Sequence, residues 1–281
     1  MLREISSLYA IGMVNTRTIA PARRVENSKL LHFMARLGFA ASGLIHFLIG
    51  FIAIQAAIRA GGNEADQSGA LAQVASTPGG VFVLWVAVVG LTALGLWLII
   101  GAFVHPGSGG RKRAAHFLVG FAKGFVYLVL AFTAYSFARG GSTSSASSTS
   151  SASGGLLARP GGAVVVGLIG VGVFVVGVGL LVKGLHRSFK KDLMVPAGAA
   201  GRATVALGIA GYVAKAVALG AVGVMFVIAA LTGDATDANG LDQGLKSLAS
   251  LPYGVVILVA VGIGLIAYGV YSFVRARYAK L

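Results

Sequence analysis

The chain has 281 residues, 57% of them hydrophobic and only 11% charged, with a mean hydropathy of +0.86, a balance that excludes an ordinary soluble domain. It has no cysteine, which removes disulfides, thiol catalysis and thiolate metal sites. The formal net charge is +15, but its basic residues fall between long apolar runs rather than on one folded face, so nucleic acid is excluded as a partner.

In chain order, residues 1–34 form a basic segment with no apolar run of spanning length and no clean cleavage site, and they are not read as a signal peptide. Ile5, Leu8, Tyr9 and Met13 recur there at helical spacing, which suits a short helix on a membrane surface, with a frayed basic tail as the alternative. Six apolar runs follow, over 37–58, 81–104, 114–138, 163–182, 203–232 and 247–274. A bilayer takes roughly 20 residues of helix, so each run predicts one transmembrane span. The third and fifth carry one lysine each, Lys123 and Lys215; the others carry no formal charge. The connectors between them are too short and too polar for a separate soluble domain. A serine-rich stretch at 142–153 holds only Ser, Thr and Ala, and this composition predicts a flexible external loop.

Seventeen of the 23 Lys and Arg residues lie before the first run, between the second and third, between the fourth and fifth, or after the sixth. The opposite connectors hold Glu64, Asp66, Asp234, Asp237 and Asp242. This alternation is the positive-inside pattern, and it predicts a multi-pass protein of the bacterial cytoplasmic membrane with both termini cytoplasmic.

Internal repetition is present. With Ser42, Lys123 and Lys215 placed in register, Pro78, Pro160 and Pro252 also align, in STPGG, ARPGG and SLPYG. Pro78-Gly79-Gly80, Pro160-Gly161-Gly162 and Pro252 with Gly254 therefore mark the start of the second helix of each unit, where a missing N–H is tolerated. The chain divides into a basic segment 1–34 and two-helix units at 35–110, 111–192 and 193–281. Two spans per unit give all three the same orientation, so the predicted fold is an all-α membrane protein of three parallel repeats, forming a pseudo-threefold bundle.

Three segments carry a family resemblance: RLGFAASGLIHFLIG at 36–50, DQSGALAQVASTPGG at 66–80, and LDQGLKSLASLPYG at 241–254 with YGVYSFVRARY at 268–278. On these the chain resembles the DUF1206 family of actinobacterial-type membrane proteins. The resemblance covers residues 35–278 and implies six helices in three units; it implies no activity.

The first helix of each unit shows one stripe at i, i+4 spacing: Gly38, Ser42, His46, Gly50; Val119, Lys123, Tyr127, Ala131; Gly211, Lys215, Leu219, Gly223. Residues so spaced share a face. If the stripes converge, Ser42, His46, Lys123, Tyr127 and Lys215 line one polar, positively charged interior. A buried charge in a membrane is a site hypothesis by default. The alternative is that each lysine snorkels to the headgroups.

The five histidines are not spaced as a ligand pair, so no metal or cofactor is predicted. A G-x-G-x-x-A match at 262–267 falls inside an apolar span with no strand before it, and 240–247 lacks the phosphate-loop spacing. No nucleophile with a base and an orienting group emerges, which disfavours an enzyme. The leading expectation is a non-enzymatic membrane module that binds or conducts a small anion or an acidic lipid through the lysine face. Its rival is an accessory subunit whose lysines pair with another membrane protein.

Overall fold

The computed structural model describes residues 29–59, 64–104 and 110–280. The surface helix expected around residues 5–13 lies outside them. Helices α1 (Lys29–Arg59), α2 (Gln67–Ala75), α3 (Gly80–Val104), α4 (Gly110–Ala138), α5 (Ser145–Leu157), α6 (Gly162–Leu185), α7 (Gly198–Thr232), α8 (Leu241–Ala249) and α9 (Gly254–Tyr278) follow one another, with 3-10 turns at Ser188–Asp192 and Ala235–Ala238. In hydrocarbon each backbone polar group must be satisfied within its own segment, so the six apolar runs fold as the six spans α1, α3, α4, α6, α7 and α9.

At one end of the bundle the short helices α2, α5 and α8 join the two spans of each unit. The second span of each unit follows a tight turn. Gly79, Gly161 and Tyr253 occupy the same left-handed turn position, at φ 78°, 77° and 62°, and Gly80, Gly162 and Gly254 begin the helices that follow. A Cβ at any of those three starting glycines would run into the carbonyl oxygen that closes the preceding helix.

The serine run corrects the expectation of a flexible loop, because residues 145–157 form α5. Ser144 caps it, its Oγ accepting from the Ser147 N–H at 3.0 Å. The hydroxyls of Ser148 and Thr149 donate back to the carbonyls of Ser144 and Ser145 at 2.8 and 2.6 Å. With the hydroxyls satisfied on the helix itself, Ala146 and Ser153 are free to be buried against neighbouring elements. Composition alone misses this because the support is tertiary: Ser144 Oγ donates to Glu64, and the Ser145 N–H donates to Ser68 Oγ at 3.0 Å. Similarly Asp242 Oδ1 accepts the Ala65 N–H at 2.9 Å, so this end ties all three units together.

The spans pack in sequential order around the bundle. The tightest neighbours are α6 on α7, α9 on α1 and α3 on α4, each joining one unit to the next. These three interfaces use equivalent residues. A Cβ added at Gly269 would lie 2.7 Å from Gly43 O, one at Gly124 2.7 Å from Gly95 O, and one at Gly177 3.1 Å from Ala216 O. Two turns further along, Gly50 meets Gly262 and Gly223 meets Gly170, while their equivalents Ala131 and Val88 pack in one apolar cluster. Backbones this close give dispersion contacts that side chains at the seam would prevent, which is how membrane helices associate without a hydrophobic drive. The bundle is therefore pseudo-threefold in its contacts.

One break in that symmetry matters. Within a unit, α1 packs on α3 and α7 on α9, but among the described residues α4 and α6 do not pack along each other. Only 17% of each of these two spans is buried, against 56% for α1 and α9. The ring has an open seam between them.

Candidate functional site

The stripes of α1 and α7 are carried inward by the glycines at their ends, because Gly50 seats α1 on α9, Gly223 seats α7 on α6, and Gly211 lies against the backbone of Tyr268. That fixes the rotation of these two helices, whereas the α4 stripe lacks such glycines and its Val119 and Lys123 are exposed. Ser42 is buried, and its carbonyl accepts from His46 Nδ1 at 2.7 Å. Because a carbonyl only accepts, Nδ1 is the donor of this bond. The His46 ring lies 4.8 Å from that of Tyr268 on α9, and Lys215 Nζ sits over the other side of the same environment, 4.2 Å from the Tyr268 centroid. An ammonium over an aromatic face in a dry setting gains about 2 kcal/mol. Lys215 points inward, in electrostatic reach of His46, Tyr127 and Arg275.

Tyr127 is half-buried between the main core and the cluster around Phe39 and Leu94. Lys123, one turn nearer the basic end, is exposed at the seam, and the charges that act on it are Lys183, Arg275 and Asp192. The predicted residues thus separate into two levels: His46, Tyr127 and Lys215 gather inside, and Lys123 stands at the opening.

Arg275, which follows the sixth apolar run directly in the sequence, joins the levels. It lies within α9, its guanidinium carbon 4.4 Å from the Phe39 ring centroid, and its Nε is buried without a hydrogen-bond partner. Behind it the rings of Phe189, Tyr212, Tyr268 and Tyr271 pack with centroids 5.2 to 5.9 Å apart. Lys183 at the end of α6 bonds Asp192 at 2.8 Å and reaches over Tyr212. The signal was present in the sequence: Tyr268, Tyr271 and Arg275 fall at i, i+3, i+7 and share a face. The prolines and glycines of the helix starts lie at the other end and take no part in this site.

Chemically the site offers cations, aromatic faces and one imidazole, and the spans contain no Asp or Glu. Such a set is complementary in charge to an anion. Among the described residues no three His, Asp or Glu side chains come together as a metal centre.

These features define a class: a six-span membrane protein of three parallel repeats with a cationic interior that opens through one seam. The Domain of Unknown Function family DUF1206 matches the chain three times, at residues 37–105, 119–187 and 210–279, one match per unit. The protein belongs to that family. It is 31% identical over 265 residues to an uncharacterized protein, YxxB, of Bacillus subtilis (strain 168), covering 91% of this chain and 94% of the relative. No solved structure matches.

Proposed function

We propose that this is a non-enzymatic protein of the bacterial plasma membrane that binds an acidic lipid or similar anionic amphiphile through the α4–α6 seam. The seam end bearing Lys123 then faces the cytoplasm together with both termini. One observation carries the reading: Lys123 on α4 and Lys215 on α7 each lie in electrostatic reach of Arg275 on α9, while Asp192, the carboxylate acting on Lys123 among the described residues, is already bonded to Lys183. Uncompensated charge in a low-dielectric interior costs several kcal/mol. An anionic headgroup entering from the seam offsets that cost, with its acyl chains left against the exposed apolar faces of α4 and α6.

The test is a photoactivatable phosphatidylglycerol in phosphatidylcholine nanodiscs holding the full chain, with labelled peptides mapped by mass spectrometry. Labelling is expected on α4 around Lys123, and Lys123→Met with Lys215→Met lowers it at least about tenfold, since a charge-assisted contact is worth roughly 1.5–3 kcal/mol. Equal labelling of the double variant, or equal labelling by the phosphatidylcholine analogue, would falsify the proposal. Absence of a lipid together with a stoichiometric membrane protein carrying an intramembrane carboxylate supports the accessory-subunit reading in its place.

A further inference from the structure

A second cationic feature lies outside the ring, on the connector between α6 and α7. There a groove of about 470 Å³ is lined by the basic Arg187, Lys190 and Arg202 and by apolar residues that include Val195, Pro196 and Ile209. We infer that this groove binds the phosphate of an anionic glycerophospholipid of the surrounding leaflet, a site separate from the seam.

Depth supports a lipid. Helix α7 has 35 residues, which at 1.5 Å each is about 52 Å, against a hydrocarbon core of about 30 Å. That excess lets its first turns, with Arg202, reach headgroup level, while Lys215 lies about 20 Å further along the same axis. The cations are also held in place rather than carried on a loose loop. Phe189 is 1% exposed, and its ring fills the space that the side-chain-free Gly208 leaves. Leu193 bridges Ala279, the Met194 N–H donates to Tyr278 O at 2.9 Å, and Lys183 bonds Asp192. Between these anchors Arg187 is forced to φ 53°, a left-handed conformation that a non-glycine residue adopts only when its surroundings impose it. Among the described residues no carboxylate lines the groove, and three cations beside the apolar Val195, Pro196 and Ile209 match a headgroup with acyl chains rather than a free ion.

The same nanodisc preparation tests it, read on peptides covering residues 195–209. Phosphatidylglycerol is expected to label them in wild type, and dioctanoyl phosphatidylglycerol to compete, with inorganic phosphate far weaker. Arg187→Gln with Arg202→Gln reduces the labelling roughly tenfold or more, and Lys190→Glu, an exposed charge reversal, reduces it independently. Lys123→Met with Lys215→Met leaves it unchanged, so this site and the seam fail or stand separately. Labelling that is equal for phosphatidylcholine, or unaltered by both groove variants, overturns the inference. Competition by inorganic phosphate as strong as by the short-chain lipid overturns its lipid part.

Discussion

Gly170 and Gly172 are two residues apart on α6 and face different surroundings, so alanine at each isolates what close helix contact contributes. A Cβ on Gly170 would lie 2.8 Å from Gly223 O, 2.9 Å from Phe226 Cβ and 2.9 Å from Val227 N. These are backbone or near-backbone atoms of α7, so the helices have to move apart. At Gly172 nothing lies within 4 Å. Alanine raises intrinsic helix preference by up to about 1 kcal/mol at either position, whereas overpacking costs about 1–3 kcal/mol. Gly172→Ala is therefore neutral or stabilising, and Gly170→Ala is less stable than it by about 1–3 kcal/mol. Unfolding by SDS titration in mixed micelles, followed by circular dichroism, gives both values under one condition. A gap under about 0.5 kcal/mol, the usual scatter for independent sites, refutes the claim that glycine contact holds the α6–α7 interface.

At the connector end, burial holds the Asp66 carboxyl above its ordinary value, reinforced by Glu64 and Asp242 and opposed by hydrogen bonds from Ser68 and the Gly69 N–H. A carboxyl with a raised folded-state pKa contributes stability below its unfolded value of 3.8 and loses it as pH rises through the folded one. Acidification from neutral pH should then raise the unfolding temperature, and Asp66→Asn, which keeps an acceptor for Gly69, should flatten that dependence. Parallel pH profiles of the two proteins count against the argument. Tyr253 is 85% exposed and holds φ 62° where the equivalent positions are Gly79 and Gly161. Tyr253→Gly should stabilise by about 1 kcal/mol, the left-handed penalty of an L-residue less glycine's chain entropy, and a loss of stability in the same titration contradicts it.

Spanning is a local property. About 20 consecutive apolar residues decide it, because hydrocarbon leaves a backbone no choice but helix, so the six spans and the three repeats anchored on Pro78, Pro160 and Pro252 were legible in one dimension. The shared faces were legible too, since i, i+4 spacing puts Ser42, His46 and Gly50 on one side of α1 whatever lies opposite. Contacts between distant residues were not. The serine run is helical because Glu64 and Ser68 receive it, and Arg275 belongs to the site because Phe39 and Tyr268 enclose it. The open seam exists because α4 turns its glycines to α3 and α6 turns its own to α7, leaving the middle hairpin unzipped. Each of these depends on which surfaces meet after folding, and only the tertiary structure decides that.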